Sequence, residues 1–208
     1  MAPTTVLEIL GLGKSFGPKE ILSDVDVRLH RGDRLGLSGP NGSGKTTLLR
    51  CIAGTVTPTT GEVTIAGCPG GSVGARAATG GAVAHEKAFY QRLSGMENLL
   101  FYASFRTRSG RAARETVEGL VEELEIGAFI RERVDRYSSG MFQQLGLARA
   151  LIGAPALLLL DEPTRSLDVG AIERFWAAMD RRKEKVAVVI ATHRDDDLAH
   201  CSQRMDLS

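Results

Sequence analysis

The residues Gly39-Pro40-Asn41-Gly42-Ser43-Gly44-Lys45-Thr46-Thr47 have types and spacing that bind phosphate. They fit G-x-x-x-x-G-K-[ST], a phosphate-binding loop. Glycines let backbone N–H groups converge on an anion, and a helix N-terminus adds positive potential. Lys45 is expected to reach the β- and γ-phosphates of a polyphosphate ligand. The Thr46 hydroxyl is expected to ligate Mg²⁺. The plain alternative is a Gly-rich turn that matches by chance. The flanks favour chemistry: Leu35 and Leu37 are two apart before the loop, a strand signal, and Leu48, Leu49, Ile52 and Ala53 follow at helical spacing.

A second stretch, Leu157-Leu158-Leu159-Leu160-Asp161-Glu162-Pro163, ends an apolar run in two acids. Ligands of open α/β sheets bind at the carboxyl ends of strands. Asp161 is therefore expected to hold Mg²⁺, directly or through water. Glu162 points elsewhere and is placed to polarise an attacking water. A strand followed by an acidic loop is the competing reading of this stretch alone.

The elements that must position these groups are readable in outline. Val6–Leu12 and Leu22–Leu29 read as strands around a turn-rich N-terminal region, with Arg31-Gly32-Asp33 as a turn. Pro58-Thr59-Thr60-Gly61 is a turn, and Val63 and Ile65 alternate after it. Gly67 to Gly81 is rich in Gly and Ala and is the least structured-looking part, before a short buried strand at Ala82-Val83-Ala84. From Leu93 to Gly153 the signals are mostly helical. Ser94 and Glu97 form a capping box. Val117, Leu120, Val121 and Leu124 share a face, and Arg131–Arg136 reads as a solvated connection. Ala156–Asp161 and Val186–Ala191 read as buried parallel strands. Between them, Val169, Ile172, Trp176 and Met179 outline an amphipathic helix.

Composition bounds the function classes. The 208 residues, 43% hydrophobic, suffice for a sizeable core in one domain. A net charge of +1 gives no global pull toward nucleic acid or an acidic surface. Cys51, Cys68 and Cys201 are odd in number and scattered, which suits a reducing compartment and offers no metal spacing. No N-terminal signal segment is expected. Ala150–Leu160 is interrupted by Pro155 and falls short of the ~20 residues a membrane span needs.

A third stretch narrows the reading. Tyr137-Ser138-Ser139-Gly140-Met141, followed by Gln143-Gln144-Leu145-Gly146-Leu147-Ala148-Arg149-Ala150-Leu151, resembles the signature loop of ATP-binding-cassette (ABC) transporter ATPases, commonly Leu-Ser-Gly-Gly-Gln, and the helix it caps. Together with the phosphate loop and the Asp161-Glu162 strand, the resemblance covers nearly the whole chain in order. It implies an α/β P-loop NTPase fold with a RecA-like core, an antiparallel β subdomain and a helical subdomain inserted at approximately residues 88–154, all within a single cassette. Physically, the signature loop is a second helix N-terminus aimed at phosphate, with the Ser138 hydroxyl and the Gly140 N–H as donors. In the family it addresses the nucleotide held by the opposite subunit. Here Ser139 replaces a glycine and Met141 a glutamine.

The resemblance assigns further roles. Ser166-Leu167-Asp168 matches the D-loop that crosses the dimer interface, although Asp168 by itself is an ordinary helix N-cap. His193, in Ala191-Thr192-His193, matches the switch histidine, bonding the γ-phosphate and holding Glu162 and the water. Phe16 stands where the family stacks an aromatic on adenine; a core phenylalanine is the bland reading. After the Ala82 strand the family places a glutamine touching Mg²⁺. This chain has Ala84-His85-Glu86, and imidazole is a poor ligand for a hard ion, so His85 is expected to contact the site through water. The run His85–Leu93 mixes aromatics with charge where a membrane subunit's coupling helix docks, or it is a lid on its own subdomain.

The resemblance therefore implies an ATP-hydrolysing subunit, with Mg²⁺ as cofactor and ATP as substrate. It would be peripheral on the cytoplasmic face, pairing with a second ATPase subunit and a membrane-spanning permease. The compact length to Ser208, the signature loop and the His85 loop favour export over import. Arg106, Arg108, Arg111 and Arg114 read as a solvated face, with a contact to lipid headgroups as the alternative. Two alternatives stay open: a soluble ABC ATPase acting on nucleic acid, a ribosome or a protein assembly, and a phosphate-loop kinase or GTPase. A single cassette without a heptad run weighs against the first, the signature loop against the second.

Overall fold

A computed structural model describes residues 4–83 and 88–207. Among these residues there are two sheets. One is antiparallel, in the order β2-β1-β4-β5, from β1 (Thr5–Phe16), β2 (Lys19–His30), β4 (Thr60–Ile65) and β5 (Cys68–Pro69). The other is parallel, in the order β6-β7-β8-β3-β9. Its strands are β3 (Arg34–Ser38), β6 (Thr79–Val83), β7 (Leu157–Asp161), β8 (Ala187–Ala191) and β9 (Gln203–Asp206).

The parallel sheet is buried on both faces, which explains its unbroken apolar runs. Period-2 alternation divides them. Leu158, Leu160, Val188 and Ile190 join one core cluster with the helices, while Leu157, Leu159, Ala187, Val189 and Ala191 join another with Leu35, Leu37 and the antiparallel sheet. Register places Asp161 opposite Ala191, and Ala191 opposite Leu37. The carboxyl ends of β7, β8 and β3 therefore open side by side, where a strand-end ligand sits.

Helix α1 (Lys45–Ile52) leaves the phosphate loop from β3. Gly44, its N-cap, has φ 103°, and a side chain there would also meet Leu22 at 2.8 Å. Between β6 and β7 lie α3 (Gly95–Ser104), α4 (Gly110–Glu123) and α5 (Ser139–Leu151). Ser94 caps α3 with the expected box: its Oγ accepts from Glu97 N, and its N–H donates to Glu97 at 2.8 Å. Two shorter helices complete the set: α2 (Val73–Ala78) before β6, and α7 (Asp195–Ala199) after β8. The helix α6 (Val169–Asp180) connects β7 to β8. No helix of the described residues is long and apolar enough to cross a membrane.

Several readings of the sequence are corrected here. Gly67–Gly81 is ordered: it holds β5, α2 and the start of β6. Ser72 caps α2, and a Cβ at Gly80 would lie 2.1 Å from the Ala150 carbonyl. Gly80 marks close backbone approach to α5, not a loop. On α6 the buried face is Ala171, Phe175, Trp176, Ala178 and Met179, while Val169 is exposed. Arg131–Arg136 is a solvated connection as expected, with all but Val134 exposed, and it contains a 3₁₀ turn whose Val134 is fully buried. Phe89 is buried as well, although Tyr90 beside it is exposed. Arg106 is exposed, as expected of a solvated face, and its guanidinium also donates to the Ala77, Arg76 and Thr79 carbonyls, tying the helical segment to α2 and the start of β6. Arg111 and Arg114 pair with Glu115 and Glu118 one turn on.

Candidate active site

A cleft of about 630 Å³ lies over the strand ends. The phosphate loop lines it with Asn41, Gly42, Gly44, Lys45, Thr46 and Thr47. Phe16 stands at the end of β1 on the rim, 53% exposed, with the Lys14 ammonium 4.8 Å from its ring centre. An aromatic face held open to a cleft can accept a flat base. Asp161, Glu162, Arg165 and Ser166 form the far wall.

Lys45 is almost buried, and its ammonium donates to the Gly39 and Pro40 carbonyls at 2.6 and 3.0 Å. An ammonium has three protons, so one donor remains for an anion. Within the same loop the buried Ser43 Oγ has no hydrogen-bond partner. A buried polar atom without a partner costs free energy that a phosphate oxygen would recover.

Thr46 Oγ1 donates to Asp161 Oδ2 at 2.9 Å, joining the start of α1 to the end of β7. This pair is an all-oxygen donor set of the kind Mg²⁺ prefers, and a phosphate-bound magnesium needs only one or two protein oxygens. The residues present therefore fit the ion. Among the described residues no group of three or more His, Cys, Asp or Glu is gathered for a metal.

Glu162, the next residue, has φ 48°, a left-handed conformation that costs a non-glycine residue of order 1 kcal/mol. Its N–H is held by the Ala191 carbonyl at 2.8 Å. Gln143, buried on α5, donates to the Glu162 and Pro163 carbonyls at 3.1 and 2.8 Å. The twisted backbone is thus clamped from both sides. It turns the Glu162 side chain away from Asp161, and Oε1 meets His193 Nδ1 at 2.9 Å. His193 is itself largely exposed and reaches the cleft wall through Glu162.

The signature residues start α5. Ser138 Oγ accepts from Met141 N at 3.2 Å, and Ser138 N–H points at the Met141 sulfur at 3.5 Å. Methionine thus takes the reciprocal place of a capping-box Glu or Gln with a weaker acceptor. Of this loop, Ser139 lines the cleft of its own chain, together with Phe142 and Gln143, whereas Ser138, Gly140 and Met141 do not. Burial pushes the hydroxyl of Tyr137 up to about 12, so it stays protonated and donates to the Phe129 carbonyl at 3.1 Å. Asp168 caps α6 by accepting from Ala171 N at 2.8 Å and stands off the cleft. His85 lies outside the described residues.

Sequence reasoning missed Gln143, Arg165 and Ile21 as cleft residues. Gln143 carries a signal in hindsight, a polar side chain whose helical neighbours three, four and seven residues on are Gly146, Leu147 and Ala150, all buried.

Comparison with known proteins agrees with this geometry. The ABC transporter family pattern matches residues 22–165. The chain belongs to the ABC transporter family. Among curated relatives, the uncharacterized ABC transporter ATP-binding protein YdbJ of Bacillus subtilis is 38% identical over 191 residues, covering 90% of this chain and 61% of the relative. The probable multidrug ABC transporter ATP-binding protein YbhF of Escherichia coli is 35% identical over 200 residues, 94% of this chain and 35% of its own. The Nod factor export ATP-binding protein I of Rhizobium meliloti is 33% identical over 211 residues, covering 98% and 61%. The chain thus spans between a third and two thirds of the length of these relatives. Among solved structures, an ATP-binding subunit of an ABC transporter superposes with a TM-score of 0.87 at 25% identity, covering 97% of this chain and 85% of that one. A dimeric post-hydrolysis cassette, MJ0796 bound to ADP and Pi, gives 0.85 at 24% identity, over 97% and 94%, and shows the shared fold.

Proposed function

We propose that this ABC-family chain binds and hydrolyses ATP to power transport through a separate membrane-spanning partner, most simply export. The observation that carries the reading is one cleft lined by Lys45, the Thr46–Asp161 pair and Glu162, with His193 held against Glu162. Export is favoured by a relative described as a Nod factor export protein, beside one described as a probable multidrug transporter subunit. Phe16 would stack on the base, and the loop Gly39–Thr47 would hold the phosphates. Thr46 and Asp161 would hold Mg²⁺, which when bound would supply neutralisation of phosphate charge.

Catalysis in such a site is positioning plus charge stabilisation. Glu162 accepts the proton of the water that attacks the γ-phosphorus in line. His193 fixes the orientation of Glu162 from Oε1, and Lys45 offsets charge on the phosphate oxygens. The departing group is ADP. Two copies, or this chain and a similar one, would enclose two nucleotides, with Ser138 and Gly140 of one chain completing the other's site and Asp168 at the boundary. The helical segment, approximately 88–154 within the one cassette, would carry the permease contact. Its exposed Tyr90, Phe101 and Phe105 stack edge-on in a row, with ring centres 5.0 Å apart in each successive pair. The chain would then sit peripherally on the cytoplasmic face.

Affinity capture from native membranes in mild detergent tests this. A polytopic membrane protein recovered at near-equal amount, with Mg²⁺-dependent ATPase activity in the complex, supports the reading. Recovery with ribosomes or nucleic acid overturns the transporter half, and absence of ATP binding overturns both halves.

A further inference from the structure

Beneath the cleft lies a carboxylate that this scheme does not use. Asp197, on α7, is 1% exposed. Thr164, two residues past Glu162, donates to its two oxygens at 2.9 and 2.8 Å. Thr192, immediately before His193, donates to Oδ2 at 3.1 Å. Neither threonine has exposed surface. Asp197 therefore ties the loop that carries Glu162 to the loop that carries His193.

The proton count gives this tie a chemical consequence. Each hydroxyl has one proton and two lone pairs. Thr192 Oγ1 also accepts from Arg194 N at 3.1 Å, and it stands 3.5 Å from Glu162 Oε2. That distance is beyond the usual range of an O–H···O bond. With its proton on Asp197, Thr192 has none for Glu162. His193 occupies Oε1, which leaves Oε2 without a protein donor among the described residues. A carboxylate oxygen that accepts no hydrogen bond from the protein keeps its lone pairs free to accept one from a water.

We propose that Asp197 is a positioning residue that withholds the Thr192 proton from Glu162, keeping Oε2 open for the attacking water. Two carboxylates compete for one hydroxyl proton, and the buried one wins by geometry. With Asp197 neutralised, the Thr192 hydroxyl is free to close its 3.5 Å distance to Glu162 Oε2 and donate there. The proposal rests on the ATP-hydrolysis reading, and the test separates the two.

Steady-state ATPase assays and nucleotide-binding titrations on the full chain provide the test. D197N, near-isosteric and checked by thermal melting, is expected to lose about tenfold in kcat with KM and ATP affinity unchanged, within the range of a weakened general base. Adding T192V removes the misdirected hydroxyl, so the double variant should recover to the level of T192V alone. T192V alone should lose no more than about threefold, because Oε2 stays open. Wild-type kcat in D197N overturns the proposal. So does a double variant worse than D197N, which would mean a merely structural tie with additive losses. A tenfold or larger fall in T192V also overturns it, because Thr192 would then be supporting Glu162 by donation; this arm stands even if D197N fails to fold. A wild-type chain that binds no ATP sinks the underlying reading instead.

Discussion

His193 Nδ1 and Glu162 Oε1 lie 2.9 Å apart, at the ends of neighbouring parallel strands whose register sets Asp161 opposite Ala191. This contact orients the group that takes the proton. E162Q should still bind ATP, because the phosphate loop and Phe16 are untouched. Its turnover should fall by about 10²-fold or more, the range for loss of a positioned general base. H193A should fall in the same direction with ATP affinity retained. Phosphate-release assays beside nucleotide titrations check both; wild-type-like turnover in E162Q would mean that the base is misassigned.

Thr46 and Asp161 make a separable prediction. Their 2.9 Å contact joins two oxygen donors at the start of α1 and the end of β7. D161N should weaken nucleotide binding only when Mg²⁺ is present and should raise the Mg²⁺ concentration needed for half-maximal activity. Binding measured in a chelator should change little, since Lys45 and the loop carry the phosphates without the ion. Equal weakening with and without Mg²⁺ would remove Asp161 from the metal's coordination.

What the sequence disclosed follows from how local each signal is. The phosphate loop is nine contiguous residues between a strand and a helix, and every part of its geometry is written within that span. Ser94 and Glu97 are likewise three residues apart, so the cap of α3 was legible. The Asp197 network was not. It joins Thr164, Thr192 and a residue on a short helix only after β7 and β8 pair, and each is ordinary alone. Gly80 misled for a related reason. A glycine reads as a loop until α5 is seen pressing its Ala150 carbonyl against the strand. On α6, Val169 lies on the same face as the buried Trp176 and Met179, but as the first residue of the helix it projects past the core into solvent.

The start of α5 is fitted closely to the loop after Glu162. A Cβ at Gly140 would stand 2.7 Å from the Ser166 carbonyl oxygen, backbone that cannot swing aside as a side chain can. G140A should push the signature helix away from the Ser166–Asp168 turn. ATP binding to the isolated chain should survive, whereas turnover, which would need this helix start against a second chain's nucleotide, should fall by about tenfold or more. A G140A chain with unchanged kcat would mean that the contact has slack.

Glu123, at the end of α4, is gripped by two arginines of the α6 terminus. Arg182 contributes two guanidinium contacts, and Arg181 Nε donates at 3.0 Å. Hydrogen bonding from Arg182 holds the carboxyl of Glu123 below its ordinary value of 4.5, and Arg181 adds to this. The sign follows from linkage. A carboxyl with a depressed folded value stabilises the fold above the unfolded value, and that contribution is lost as pH falls through the folded one. E123Q should therefore lower stability at pH 7 by about 1 kcal/mol, since Arg181 is half-exposed and screened. For a chain of this size that is a fall in Tm of about 2–4 °C. The gap between wild type and E123Q should begin to narrow near pH 4.5 and close only once the pH has fallen through the lowered folded value, where the wild-type carboxylate is protonated as well. Thermal melts from pH 7 to pH 3 read this directly. A gap that persists undiminished at low pH would mean that Glu123 holds α4 to α6 by packing rather than by charge.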